Sequence, residues 1–429
     1  MAMITICLLL ILFLSIAIGT PIAVSLGLTA VGYFMLKGQW PFLFLVAQRL
    51  FAGCNSFELI AIPLFVLSGD IMYNGAISKA LVNLAKSLIG WARGNLAMTT
   101  TLGAMFFGAV SGSGPATASA IGAIVATPME EEGYPKAYTS AVIAASAPLG
   151  SLIPPSILMV IYGAAAGTSI AKMLLAGVGP GILFGVLFLL YEMYVGRKYS
   201  YGTVTAFSIS KVFKALREGI WALIAPLIIL GGIYSGTFTP TEAAAVTVFY
   251  SLFVGMCINH TIKLKSLPDI LLTSSITSGA VLFVLGTVAA FGYVLTREGI
   301  PQKLTMLLTS TIKTPLVFLL VVQVILLVVG MLMNGSAAIM ILTPLLLPAV
   351  LRYGIDPVYF GGLMVANLCV GMYTPPVAVT SFVSARVTGA TFDETNKALM
   401  PLLLISVLAI LILIFVPKII SYLPNALWR

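Results

Sequence analysis

Ala109-Val110-Ser111-Gly112-Ser113-Gly114-Pro115-Ala116-Thr117 is a small, polar, helix-breaking interruption inside a very apolar region. About fifteen apolar residues lead in from Leu96, and about thirteen lead out to Pro128. Neither arm alone reaches the ~20 residues that a helix needs to cross a bilayer. The stretch reads as the tip of a re-entrant helical hairpin at membrane depth. Irregular backbone is tolerated there only where it is buried in protein or lines a wet cavity. Glycines leave backbone carbonyls and amides approachable, and Ser111 and Ser113 add hydroxyls. Broken helices of this kind build sites for a small ion and an anionic substrate. The same residues also suit a plain turn between two short core helices, so the rest of the chain has to decide.

The chain has 429 residues, 60% hydrophobic and 8% charged. A soluble protein of this size carries roughly 25% charged residues, so this is an all-α polytopic membrane protein. Apolar runs continue from end to end, which points to one integral membrane domain in the lipid bilayer. The formal net charge is 22 − 13 = +9. In a membrane protein this reflects loops facing anionic lipid and the cytoplasm. No compact basic run interleaved with aromatics points to nucleic acid. Cys7, Cys54, Cys257 and Cys369 are scattered, without metal spacing or a disulfide framework. The first apolar run, from Met3, lacks a basic leading segment and reads as a retained span.

Residues 3–36 read as two short spans turning at Gly19-Thr20-Pro21, 41–55 as an interfacial helix and 57–73 as a span. In 75–95, Lys79, Lys86 and Arg93 recur every seven residues, which suggests a helix lying in the interface. The hairpin occupies 96–128. Residues 137–170 are a broken span, interrupted by Gly150, Pro154 and Pro155, and 173–195 are a plain one. A polar loop at 196–218 carries Arg197, Lys198, Lys211, Lys214 and Arg217. Spans follow at about 219–235, 241–258 and 270–295, then a second amphipathic stretch at 297–314. A second apolar arm, 315–333, breaks at Asn334-Gly335-Ser336 and resumes to Pro348. Another broken span, 358–387, carries Gly371 and Pro375-Pro376, and 399–417 reads as the last span.

Gly354 and Gly133, Tyr359 and Tyr138, Gly371 and Gly150, Pro375 and Pro154 are each separated by 221 positions. Several features at one offset and in one order indicate an internal duplication, which outranks any single motif. The basic 196–218 loop belongs in the cytoplasm, and Lys263 and Lys265, two spans later, agree. The first hairpin then opens to the cytoplasm and the second to the outside. This gives ten crossings, two hairpins and both termini outside. Two inverted-topology repeats, each with a re-entrant hairpin and a broken helix, are a signature of secondary transporters. Scaffold elements fall at about 1–95 and 219–314, and transport elements at about 96–195 and 315–417.

Inverted halves bring the hairpin tips to the breaks of the two long spans. The first half contributes Ser111, Gly112, Ser113, Gly114, Thr117, Ser146, Gly150, Ile153 and Ser156. The second contributes Asn334, Gly335, Ser336, Asn367, Gly371, Thr374 and Thr380. Hydroxyls, amides and bare carbonyls without a carboxylate cage suit Na⁺ better than Ca²⁺ or Zn²⁺, and two clusters suggest at least two ions. An anionic substrate fits between them at helix N-termini. Tight helix packing also uses small and hydroxylated residues, and Thr117, Thr380 and Ser336 fit either role. Glu58, Asp70, Glu192 and Glu242 lie toward span ends, where anchoring is the expected role. His260 sits in a loop and receives no role.

Phe107-Gly108-Ala109-Val110-Ser111-Gly112-Ser113-Gly114-Pro115-Ala116-Thr117-Ala118, Ile153-Pro154-Pro155-Ser156, Thr239-Pro240-Thr241-Glu242-Ala243-Ala244 and Thr374-Pro375-Pro376 resemble the large membrane subunit of tripartite ATP-independent periplasmic (TRAP) transporters. The likeness is strongest to the sialic-acid members and covers nearly the whole chain. It implies sodium-driven uptake of an organic acid across the bacterial inner membrane. A periplasmic substrate-binding protein delivers the acid, and a small membrane subunit, expected here as a separate chain, pairs with the large one. It also implies an elevator mechanism, with the hairpins and broken spans as the mobile body. Carried over to this sequence, Ser111, Ser156 and Asn334 are expected to contact substrate. Ser113, Gly114, Ser146, Gly150, Ile153, Gly335, Asn367, Gly371 and Thr374 are expected around sodium. Family members often carry an aspartate where Asn334 stands, so an acid's charge is missing there.

A passive anion channel is the rival from another class, and the inverted hairpins argue against it. A C4-dicarboxylate or another carboxylate is the alternative substrate. An intramembrane enzyme lacks a base beside any serine in an apolar span.

Overall fold

Every regular element is helical among the residues described by the computed structural model, which are 8, 10–12, 14, 15, 18–75 and 77–427. Much of the expected first span from Met3 lies outside them. The first group of helices is α1 (Ile22–Leu36), α2 (Leu43–Cys54), α3 (Ala61–Asn74) and α4 (Ile77–Ile89). Next come α5 (Asn95–Ser111), α6 (Gly114–Glu131), α7 (Lys136–Ser146), α8 (Ile157–Ala166) and α9 (Ile170–Tyr199). The chain continues with α10 (Ile209–Tyr234), α11 (Pro240–Phe253), α12 (Leu267–Arg297) and α13 (Ile300–Thr311). Then follow α14 (Pro315–Leu332), α15 (Gly335–Arg352), α16 (Pro357–Gly371), α17 (Val379–Thr388), α18 (Phe392–Phe415) and α19 (Lys418–Leu427). Among the described residues, eight helical stretches are long and apolar enough to cross a membrane.

Five elements end elsewhere than the sequence predicts. Pro128 and Pro348 do not end their arms, because α6 runs on to Glu131 and α15 to Arg352. A proline near the end of a helix removes one N–H bond, and packing carries the bend. The helix expected over 75–95 stops at Ile89, and Gly94 turns the chain with φ of +81°. Arg93 therefore leaves the stripe that carries Lys79 and Lys86. The polar loop shrinks to residues 200–208, with Arg197 and Lys198 on α9 and Lys211, Lys214 and Arg217 on α10. Its backbone is tied down, since Thr203 N–H donates to Glu132 Oε2 (2.8 Å) and Thr205 N–H to the Gly90 carbonyl (2.9 Å). Finally, the last long helix spans Phe392–Phe415, and α19 continues beyond it to pack on α9.

The segments α5–α9 and α14–α18 have the same element order. Gly114 and Gly335 open the second hairpin arms, and Lys136 and Pro357 open the broken helices, both 221 positions apart. Each break holds a cis prolyl bond, at Pro154-Pro155 and Pro375-Pro376. The helices after the breaks start at Ile157 and Val379, one residue out of step. The added residue falls in the second break, where Ala378 takes a left-handed φ of +42°.

The two segments interlock. After each break the chain crosses to the other segment, so α8 packs on α15 and α16, while α17 packs on α6 and α7. Polar bonds pin the crossing. The Thr380 hydroxyl donates to the Ala144 carbonyl (3.0 Å), the Ser140 and Ser384 hydroxyls lie 3.0 Å apart, and the Tyr162 hydroxyl donates to the Pro357 carbonyl (2.8 Å). Around this body, α12 packs on α1, α2 and α3, and α3 packs on α11. The amphipathic helices α4 and α13 lie between the two groups, α4 against α5 and α10, and α13 against α15.

Candidate functional site

The first hairpin tip is two residues long, Gly112 and Ser113. Gly112 has φ of +62°, and a Cβ there would sit 2.4 Å from the Pro155 carbonyl oxygen. Both the backbone conformation and the contact require glycine. The tip thus lies directly on the break of the first broken helix. Gly114 N–H donates to Ser151 Oγ (2.9 Å). A Cβ on Gly114 would also meet Met372 Sδ at 3.2 Å and Pro148 Cα at 3.4 Å. Gly335, which opens α15, faces Leu158 and Met372. Both tips and both breaks therefore lie close together. The starts of α6, α8 and α15 meet there with their positive dipole ends, and each has a capped N–H, from Gly114 to Ser151, Met159 to Ser156 and Ser336 to Asn334.

Beside this junction opens a cavity of about 620 Å³. Ser111, Ser113, Ala116 and Ser119 of the hairpin and Ile157 of α8 form one wall. The other comes from α3, with Gly69, Asp70, Tyr73 and Asn74, and from the start of α12, with Asp269, Thr273 and Thr277. Asp70 Oδ2 accepts from the Ser274 hydroxyl (2.6 Å). Among the described residues, no Lys, Arg or His lines this cavity. Two carboxyl groups, Asp70 and Asp269, line it, and Ser113 at the start of α6 borders it.

The expected site residues divide between places. Ser111 and Ser113 line the cavity, and Ser111 Oγ lies 3.1 Å from Thr117 Oγ1. Ser156 is fully buried and does not line it; its hydroxyl donates to the Ser151 carbonyl and accepts from Met159 N–H as the N-cap of α8. Asn334 caps α15, with Oδ1 accepting from the Ser336 amide and hydroxyl (3.1 Å each). It lines a separate pocket of about 40 Å³ with Gly330, Gly335, Gly371 and Met372. Ser111 and Asn334 are thus near one junction but not in one cavity. Gly150 presses against Thr117 and Gly108, and Gly371 against Gly330. The Thr374 hydroxyl donates to the Val370 carbonyl (2.7 Å). Ile153 lies against Gly181 of α9.

Ser146 and Asn367, 221 positions apart, anchor two buried polar nodes. Asn367 Nδ2 donates to Gln323 Oε1 (2.8 Å) and to its carbonyl (2.9 Å), while Asn367 Oδ1 is buried without a partner. An unpaired buried carbonyl oxygen, beside the bare backbone of a helix break, fits a hard monovalent cation. Ser146 Oγ lies 2.6 Å from Thr101 Oγ1, which donates to Glu192 Oε1 (2.5 Å). Glu192 is 0% exposed, and its Oε2 has no hydrogen-bond partner. This corrects its expected role as an interfacial anchor, because the face of α9 that carries Glu192 turns into the protein. Asp70 is corrected likewise, from span-end anchor to cavity wall. Glu242 does act locally, in a capping box with Thr239 at the start of α11. Asp269, Thr101 and Gln323 escaped the sequence reading. An acid within a span is a functional suspect by default, and that signal was present at Asp70 and Glu192.

Known proteins resemble this chain along almost its full length. Residues 9–419 match the family described as tripartite ATP-independent periplasmic transporter, DctM component. The chain is 40% identical over 380 residues to the C4-dicarboxylate TRAP transporter large permease protein DctM of Pseudomonas aeruginosa, covering 89% of each. It is 34% identical over 407 residues to the sialic acid TRAP transporter large permease protein SiaM of Vibrio cholerae, covering 95% of each. The isethionate TRAP transporter permease protein DctMQ of Oleidesulfovibrio alaskensis is 39% identical over 407 residues, but this chain spans only 64% of its length. Among solved structures, the YdaH transporter of Alcanivorax borkumensis has a similar fold, with a TM-score of 0.62 at 16% identity over 88% of this chain and 89% of that one.

Proposed function

We propose that this chain, which belongs to the DctM component family of tripartite ATP-independent periplasmic transporters, performs sodium-coupled uptake of an organic acid across the bacterial inner membrane. A periplasmic binding protein delivers the acid, and a separate small membrane subunit completes the permease. The observation that carries this reading is the convergence of both hairpin tips and both breaks beside one polar cavity. The interlocked segments α5–α9 and α14–α18 act as inverted repeats and move as one body against α1–α3 and α10–α12, in an elevator. Interlocking supports this, since a body whose two halves exchange helices moves as a unit.

Ser111 and Ser113 receive the substrate's acidic group from the hairpin side, aided by the helix starts. The sodium ions sit at the two breaks, one near Ser113, Gly114, Ser146, Gly150 and Ile153, the other near Gly335, Asn367, Gly371 and Thr374. Ser156 and Asn334 hold the helix starts that face the substrate. Among the substrates for which its relatives are named, we assign sialic acid, N-acetylneuraminate, to this chain, on its sequence motifs. The test is uptake of radiolabelled N-acetylneuraminate into proteoliposomes with the small subunit, the binding protein outside and an inward sodium gradient. We expect uptake that vanishes without sodium or without the binding protein. Sodium-independent equilibration in both directions would overturn the mechanism in favour of a passive channel.

A further inference from the structure

Among the described residues, the cavity beside the hairpin tip is lined by hydroxyl groups and two carboxylates with no basic side chain. That is an unusual lining for an anion. Carboxylate oxygens accept hydrogen bonds, so Asp70 and Asp269 favour hydroxyl donors over a second carboxylate. Asp70 Oδ2 already takes the Ser274 hydroxyl, which fixes the side chain on α3 and leaves Oδ1 as an acceptor. The hairpin tip is close by, because a Cβ on Gly69 would lie 3.2 Å from Ser111 Cα. One anionic group therefore finds hydroxyls at Ser111 and Ser113 and the start of α6 beside Ser113, while the rest of the ligand faces acceptors.

We propose that this cavity takes a monoanionic acid rich in hydroxyl donors, with Asp70 as the residue that accepts from those donors and excludes a second carboxylate. The inference rests on the permease reading above and adds the residue that sets selectivity between monoacids and dicarboxylates. A dicarboxylate would set like charges together in a partly desolvated space, and its second acid would leave Asp70 without a donor. Sites built to bond a substrate hydroxyl discriminate strongly against ligands that lack it. The repulsive element matters as much as the attractive one.

The test reads occupancy of this cavity directly, in the complex with the small subunit and in sodium. Thr277→Cys, introduced after replacement of Cys7, Cys54, Cys257 and Cys369, places a maleimide target on the cavity wall. N-acetylneuraminate and gluconate are expected to slow its labelling at concentrations about tenfold or more below those needed for succinate. Asp70→Asn, which keeps the side chain's size, should shrink that ratio to near one. Asp269→Asn, at the exposed start of α12, should shrink it in part, and serves if the first variant folds poorly. Succinate protecting the wild-type cavity as well as the monoacids would overturn the inference alone, as would a ratio unchanged in both variants. Failure of every acid to protect would overturn it together with the placement of substrate in this cavity. Sodium-driven uptake tests the permease reading separately.

Discussion

Gly108 and Gly150 meet backbone to backbone: a Cβ placed on Gly108 would lie 2.1 Å from Gly150 Cα. Gly330 and Gly371 repeat the contact in the second segment, where a Cβ on Gly371 would lie 2.6 Å from the Gly330 carbonyl carbon. Each pair joins the first arm of a hairpin to the break it serves. Overpacking at such a contact costs about 1–3 kcal/mol. Gly108→Ala and Gly371→Ala are therefore each expected to lower the unfolding temperature and to impair uptake more than their stability loss explains. Thermal unfolding beside uptake at matched protein amounts checks this, and full activity in both would show that the breaks tolerate displacement.

At the tip itself, Gly112→Ala faces both a left-handed backbone and the Pro155 carbonyl. The conformational cost alone is about 1–2 kcal/mol. Loss of substrate protection at the cavity is expected with the fold retained, measured by maleimide labelling together with circular dichroism.

Ser111 reaches the cavity, whereas Ser156 caps a buried helix. Ser111→Ala should abolish or severely reduce uptake with a small stability change. Ser156→Ala should lower stability by about 1 kcal/mol through the lost cap, with its transport defect following from the shift of α8. Equal thermal stability of Ser156→Ala and wild type would contradict that structural role.

Glu192 is a buried acid whose partner, Thr101, also touches Ser146. Glu192→Gln keeps the side chain's size and the hydrogen bond from Thr101, so stability should hold to within about 1 kcal/mol. Glu192→Ala leaves the hydroxyl chain without its acceptor and should lose about 1–3 kcal/mol. If Ser146 serves a sodium site, the sodium concentration for half-maximal uptake will shift in Glu192→Gln. A value equal to wild type would separate this node from the ion.

At the edge of the outer group, Lys37 Nζ lies 2.5 Å from Glu298 Oε1, which also accepts from the Tyr33 hydroxyl. The bonds from Lys37 and then Tyr33 hold the Glu298 carboxyl below its usual value of 4.5. A depressed folded pKa means stability that is present above about pH 4.5 and lost as pH falls through the folded value. The Lys37 ammonium is raised above its usual 10.5, chiefly by the bond to Glu298, so its share persists through neutrality and disappears in strong base. The gap in unfolding temperature between wild type and Glu298→Gln should be flat near neutral pH and close below about pH 4.5. A gap independent of acid would remove the ion pair from the account.

The sequence alone determined the membrane class and the two interruptions, and it carried the 221-residue offset, because these are written in local chemistry. Charged residues are too few for a soluble surface, Gly and Pro stop helices wherever they occur, and the 221-residue offset is arithmetic on residue types. Helix faces were not legible. In a bilayer both faces of a helix are apolar, so nothing local distinguished Leu404, exposed on α18, from Leu402, fully buried on the same helix. For the same reason Glu192 read as an anchor and Asp70 as a span-end acid. Tertiary structure alone decided that α8 and α17 exchange places, that Ser156 caps a helix while Ser111 meets the cavity, and that two aspartates stand opposite the hairpin tip. Those relations join residues far apart in the chain, and only the packing of one segment against another brings their atoms within bonding distance.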